Sequence, residues 1–181
     1  VRVVGAKPRV LIATLGGPHP LSVGTMRARA VRMMTHLGLE GAELSLTLVD
    51  DETMRALNRE HRKKNKPTDV LSFPQHEGDV LTSLGLGLEA ERAGRYRKRA
   101  RGARVPDLLG DVVLSVPTAT RQAEAGGRPL LAEATMLLAH GLLHLVGYDH
   151  RDDHEEAVMT ARTRELEGVA AGRARAPKPS G

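Results

Sequence analysis

Three of the chain's eight histidines, His140, His144 and His150, fall at a spacing that suits one metal ion. The first two are four residues apart in the apolar run 136–146, which reads as helix. At about 3.6 residues per turn, side chains at i and i+4 rise from one face, so the two imidazoles can converge. Gly147 lets the chain leave the helix through a positive-φ turn, and His150 can then fold back as a third ligand. Three neutral imidazoles around a divalent ion, with a fourth position left to water, make a catalytic zinc site. Zinc is the expected cofactor, one ion per chain, though nickel, copper or iron would accept the same ligands. Because only neutral imidazole ligates, metal affinity is expected to weaken below about pH 6.5.

The elements that must hold these residues can be read from the patterning. Residues 9–15 suit a short first strand, ended by Gly16-Gly17-Pro18. Apolar residues recur at helical spacing over 21–37, with Ser22 or Thr25 as cap and Gly38 as stop. Residues 43–49 alternate polar and apolar as a half-buried strand does, and Asp50 or Asp51 caps a short helix through Asn58. Residues 70–73, stopped by Pro74, form a further strand, and 111–116 a continuously apolar, central one. Pro117 starts a helix closed by Gly126-Gly127, Pro129 opens the histidine-bearing helix, and 155–166 forms the last. This order predicts an α+β fold, about five helices packed on a small mixed sheet, with the metal in a cleft. One domain over 1–168 is expected, with a basic insertion at about 88–106 and a disordered tail over 169–181.

Composition narrows the class. Hydrophobic residues make up 40% and charged residues 27%, as in soluble globular proteins. Without cysteine there is neither a disulfide framework nor a thiolate metal site, which fits a cytoplasmic protein. No apolar run nears the roughly 18–20 residues that span a bilayer, and no secretory h-region opens the chain, so no membrane partner is expected. The net charge of +5 favours polyanionic partners, nucleic acid foremost. The scarcity of aromatics, Phe73, Tyr96 and Tyr148 alone, argues against a surface that binds mainly by base stacking.

The ligand spacing H-x3-H-x2-G-x2-H is similar to that of the metzincin proteases, but Gly141 stands where those enzymes place a general-base glutamate. Two further stretches decide between families. Asn58-Arg-Glu-His-Arg62-Lys-Lys-Asn-Lys-Pro67-Thr68-Asp69-Val-Leu-Ser-Phe-Pro74 resembles the N-x3-R-x4-P-T-D-V-L-S-F-P signature of the YbeY family. The segment His140-Gly-Leu-Leu-His144-Leu-Val-Gly147-Tyr-Asp-His150 is similar to its H-G-x-L-H-L-x-G-Y-D-H motif at every fixed position, and Leu109-Gly110-Asp111-Val112 resembles its Gly-Asp strand entry. The resemblance implies a metal-dependent endoribonuclease acting on single-stranded RNA, with ribosomal RNA and ribosomal particles as partners. In that family the activity is associated with small-subunit rRNA 3′-end maturation and ribosome quality control. Three departures from the family pattern stand out: His61 where tyrosine is common, Asn65 where an acidic residue is common, and the basic insertion.

The resemblance also makes Arg62 the candidate catalytic cation, since a guanidinium contacts phosphate oxygens bidentately and offsets developing charge. Without it, Arg62 beside Lys63, Lys64 and Lys66 would read as a solvated basic turn. Asp149 either orients a ligand or takes a proton on the one hand, or fixes the turn between ligands on the other. Asp69 is expected to shape a strand entry, Phe73 to lie in the core and His154 at the surface. The proton acceptor stays open between metal hydroxide itself and Asp149, beside an RNA 2′-hydroxyl route in which no water attacks. Two rival functions remain, a metallopeptidase and a non-catalytic RNA- or ribosome-binding assembly factor.

Overall fold

The computed structural model describes residues 6–76, 87, 92 and 107–173, as four strands and five helices. In chain order these are β1 (Arg9–Thr14), α1 (Val23–His36), β2 (Glu43–Val49), α2 (Asp51–Arg62), β3 (Val70–Pro74), β4 (Leu108–Ser115), α3 (Val116–Ala125), α4 (Leu130–Leu145) and α5 (Asp153–Ala170). Four of the helices start on a residue whose side-chain oxygen accepts a first-turn N–H: Ser22 from Thr25, Asp50 from Thr53, Ser115 from Thr118 and Asp152 from Glu155. Each cap satisfies a donor that the helix itself leaves unpaired.

The sheet runs in the order β1-β2-β4-β3. β1, β2 and β4 are parallel, and β3 lies antiparallel on the outer side of β4. Leu44, Leu46 and Leu48 alternate along β2 and meet Met26, Met33 and Met34 of α1, Leu138 and Leu142 of α4 and Met159 of α5 in the main core. A smaller cluster of Val49, Met54, Leu71 and Val113 lies under α2, with Leu57 and Phe73 half-buried beside it. The fold is therefore α+β, with methionine and leucine filling the space that aromatics would otherwise take.

The histidine-bearing helix α4 is buried nearly all round, from Ala134 through Leu145. It lies tight on the sheet at Gly141. A Cβ there would come within 2.9 Å of Val112 Cγ1, 3.1 Å of Ser72 Oγ and 3.2 Å of Val70 Cγ2. α4 ends in a Schellman turn: Gly147 (φ 88°) donates to His144 O, and Tyr148 N–H donates to Leu143 O at 3.0 Å.

Four boundaries differ from the sequence expectation. α2 continues past Asn58 to Arg62 and stops at Lys63, which takes a left-handed conformation with φ 58°. β4 begins at Leu108 instead of 111 because its start pairs with Glu43, and Ser115 turns Val116 into the next helix. The tail does not begin at 169: α5 runs to Ala170, which is fully buried and whose carbonyl accepts from Arg32 at 2.6 Å. The basic insertion at 88–106 lies outside the described residues apart from Arg92, as does the tail from 174 onward. No described helix is long and apolar enough to cross a membrane.

Candidate metal centre

The structure brings His140, His144 and His150 together, with one nitrogen from each within 4.8 Å of the others. His144 Nδ1 lies 3.0 Å from the Tyr148 carbonyl oxygen. A carbonyl only accepts, so Nδ1 carries the ring proton and Nε2 presents its lone pair. That Nε2 stands 3.2 Å from His140 Nε2. Two nitrogens on a tetrahedral zinc, each at about 2.0–2.1 Å, are roughly 3.3 Å apart. The helical pair therefore already has the spacing a bound ion requires. The His150 ring centre is 5.8 Å from that of His140 and 5.3 Å from that of His144, on the exposed loop between α4 and α5.

The electrostatics fit the same use. Burial foremost, then the neighbouring His140 and His150, push His144 down to about 4. Burial also lowers His140, with His150 adding to the effect and Asp69 opposing it. Both imidazoles are neutral at pH 7, the form that ligates a metal.

The loop carrying His150 is tied at several points. Burial raises the Asp149 carboxyl, but the His150 N–H at 2.9 Å and Arg151 Nε at 2.7 Å outweigh it, so the net shift is downward. Each Asp149 oxygen thus has a partner, which supports the turn-fixing alternative. Glu155, 5% exposed, was not singled out in the sequence; its Oε2 accepts from Arg151 N–H at 3.0 Å and its Oε1 from Arg92 at 2.7 Å. Tyr148 is also buried, and its carbonyl orients His144.

A cavity of about 550 Å³ opens on this cluster, with Arg62, Ser72, Pro74, Arg92, His144, Asp149 and His150 among its walls. A smaller one of about 210 Å³ reaches His140 and His150 from the side of α5, along Glu156, Met159 and Thr163. Arg62 comes to the larger cavity as the last residue of α2. The buried Asn58 fixes the turn beyond it, its carbonyl accepting from Lys64 N–H and its Nδ2 donating to Lys66 O at 2.7 Å. A polar residue on the inward side of the helix, beside Met54, leaves little trace in hydrophobic periodicity, so only motif spacing marks Asn58.

The remaining candidates take structural places. Asp69 accepts from Val70 N–H at 2.8 Å and from Gln122 Nε2 at 3.0 Å, holding the entry to β3 against α3. Phe73 is half-buried with the His61 ring edge-on at 4.8 Å, and His154 is exposed on α5.

The family described as "Endoribonuclease YbeY" matches residues 24–168 of the chain. An Endoribonuclease YbeY of Persephonella marina is 38% identical over 149 residues, covering 82% of this chain and 83% of the relative. One of Geobacillus kaustophilus is 43% identical over 127 residues, covering 70% and 72%. The solution structure of a Thermotoga maritima protein superposes with a TM-score of 0.57 over 94% of this chain and all of that one; at 18% identity it speaks to the fold alone.

Proposed function

The chain belongs to the YbeY family of endoribonucleases, and on that premise we propose that its histidine cluster holds zinc and serves cleavage of single-stranded RNA. The substrate proposed is ribosomal RNA at the 3′ end of the small subunit, within ribosomal particles. The observation that carries the reading is the 3.2 Å His140–His144 nitrogen pair beside a cavity that Arg62 also lines.

His140, His144 and His150 would hold the ion. Zinc in that place supplies Lewis acidity toward a phosphoryl oxygen and a water of lowered pKa. The Tyr148 carbonyl keeps the proton on His144 Nδ1 and so keeps Nε2 available. Arg62 meets a non-bridging phosphate oxygen and offsets the charge that builds there. Asp149, with both oxygens engaged and its basicity lowered, holds the His150 turn. Asp149 therefore holds the turn instead of taking a proton, and the attacking oxygen, whether of water or of the RNA 2′-hydroxyl, gives up its own proton to another group.

The peptidase reading needs a glutamate at 141. A side chain there would run into Val112, Ser72 and Val70, so this helix is packed for glycine. The non-catalytic alternative draws on the net charge of +5, which favours RNA binding without cleavage.

The test measures bound metal and cleavage of a single-stranded RNA on one preparation of wild type, His144→Ala and Arg62→Ala. His144→Ala should lose metal and cleavage together. Arg62→Ala should keep the metal and cut roughly 10²–10³-fold more slowly. Metal-replete wild type that binds ribosomal particles but leaves RNA intact makes the protein an assembly factor. Equal cleavage by all three preparations would sink the site assignment.

A further inference from the structure

Away from the histidines, three arginines gather where α1, the start of α4 and the end of α5 meet. Arg29 and Arg32 stand three residues apart on α1 and so rise from one face. Arg29 is half-buried, and its Nη1 donates to the Leu131 carbonyl and to Thr135 Oγ1 on α4. Arg32 is exposed, and its Nη1 donates to the Ala170 carbonyl at 2.6 Å. Arg173 follows that helix end through a tight turn: Gly172 takes φ 73°, and Arg173 N–H donates back to Gly168 O at 2.8 Å. Burial first, and then the charges of Arg32 and Arg173, push the Arg29 guanidinium below its ordinary value. The three cations are thus near enough to act on one another.

Neutral oxygens anchor them. Arg29 and Arg32 each spend one nitrogen on backbone or hydroxyl oxygen, and among the described residues none of the three arginines pairs with a carboxylate. The acids nearby are engaged elsewhere: Glu133 and Glu167 both pair with Arg128, at 3.3 and 2.7 Å, and Glu165 with His36 and Arg162. Although Arg29 is half-buried, its unspent nitrogens are not themselves buried. Cations without a counter-charge favour a polyanion, and guanidinium forks suit phosphate oxygens in particular. The cluster stands apart from the cleft. At about 1.5 Å per residue, α4 rises about 14 Å from Thr135 to His144, and α5 runs about 25 Å from Asp153 to Ala170.

We propose that Arg29, Arg32 and Arg173 form a second phosphate-binding site, which docks RNA at a distance from the histidine cleft. The inference rests on the RNA-directed reading of the chain and concerns affinity, which is measured apart from cleavage. An RNA long enough to touch both sites is held by two linked contacts and binds more tightly than one confined to the cleft.

The test compares wild type with Arg32→Gln, Arg173→Gln, the double glutamine variant, the double lysine variant and a charge control, Arg9→Gln, whose exposed side chain pairs with Glu43. Affinity is measured across a salt series for labelled single-stranded RNAs of about 6 and about 30 nucleotides, below and above the site size of one groove. The double glutamine variant should bind the long RNA roughly tenfold more weakly and the short one within about twofold of wild type. Its slope of log affinity against log salt should fall by about 1.4 on the long RNA, and that of each single variant by about 0.7. The double lysine variant should restore the slope but only part of the affinity, and Arg9→Gln should match wild type. The inference is overturned if the double glutamine variant binds long RNA like wild type, if both RNAs weaken equally, or if Arg9→Gln weakens binding as much as either single variant. It is also overturned if the double variant keeps its RNA affinity and loses binding to anionic-lipid vesicles instead, which assigns the cluster to a membrane surface. A wild type that never cuts RNA, yet shows the length-dependent loss, overturns the endoribonuclease reading and leaves this one standing.

Discussion

At the scale of single residues, the state of His144 governs what the site can do. An ordinary histidine titrates near 6.5, whereas this one is held down to about 4. Between those values the unfolded chain binds more protons than the folded one, so stability rises with pH across the window. The metal-free protein should therefore lose stability as pH falls from about 6.5 toward 4, with no further loss from this group below that. Urea midpoints at pH 7 and pH 5, for wild type and His144→Gln, check this; the variant should show the shallower dependence. A wild-type midpoint unchanged between the two pH values contradicts the burial argument. The same depression moves proton competition for the His140 and His144 nitrogens to lower pH than free imidazole would give.

At the scale of elements, the contact between α4 and the sheet is made at Gly141, and the next prediction belongs there. Gly141→Ala adds one methyl against Val112, Ser72 and Val70 at 2.9–3.2 Å. Alanine is the better helix former by roughly 0.5–1 kcal/mol, yet overpacking a close contact costs about 1–3 kcal/mol. The net effect should be destabilisation, read as a lower denaturant midpoint with unchanged slope. A midpoint at or above wild type would mean that α4 rides more loosely than the structure has it.

Elements with strong local signals were legible in the chain. β2 spans 43–49 as its alternation predicts, and Ser22, Asp50 and Gly147 end or begin helices where their chemistry requires. The i,i+4 histidines and the glycine before His150 were likewise readable, because helix geometry alone brings the first two together. What escaped was set by partners distant in sequence. Arg92 and Glu155 meet across 63 residues, and Ser115, Thr118 and Arg121 converge on Asp51 from 64 to 70 residues away. The continuation of α5 to Ala170 depends on burial against α1, which the small, polar and charged residues of that stretch do not announce.

At the scale of the whole molecule, the three histidines join two kinds of support. Two stand on the most buried helix, and the third on an exposed loop leading into α5. A metal that binds the folded state alone stabilises it by about 2.7 kcal/mol when free ion exceeds Kd a hundredfold. For a chain of this size that raises the melting temperature by about 5–10 °C. Chelator should reverse the shift, and hydrogen exchange should speed up in residues 147–155 while the amides of α4 stay protected. Equal protection with and without metal would place the ion elsewhere.

The unequal footing of the three histidines also bears on time. His140 and His144 would hold an ion from a buried helix and His150 from an exposed loop. If the three histidines hold an ion, the exposed loop residue His150 would be the first of them free to let go. The lifetime of a bound ion would then be a property of the seven loop residues 146–152, and two proteins of equal folding stability could differ widely in how fast they exchange it.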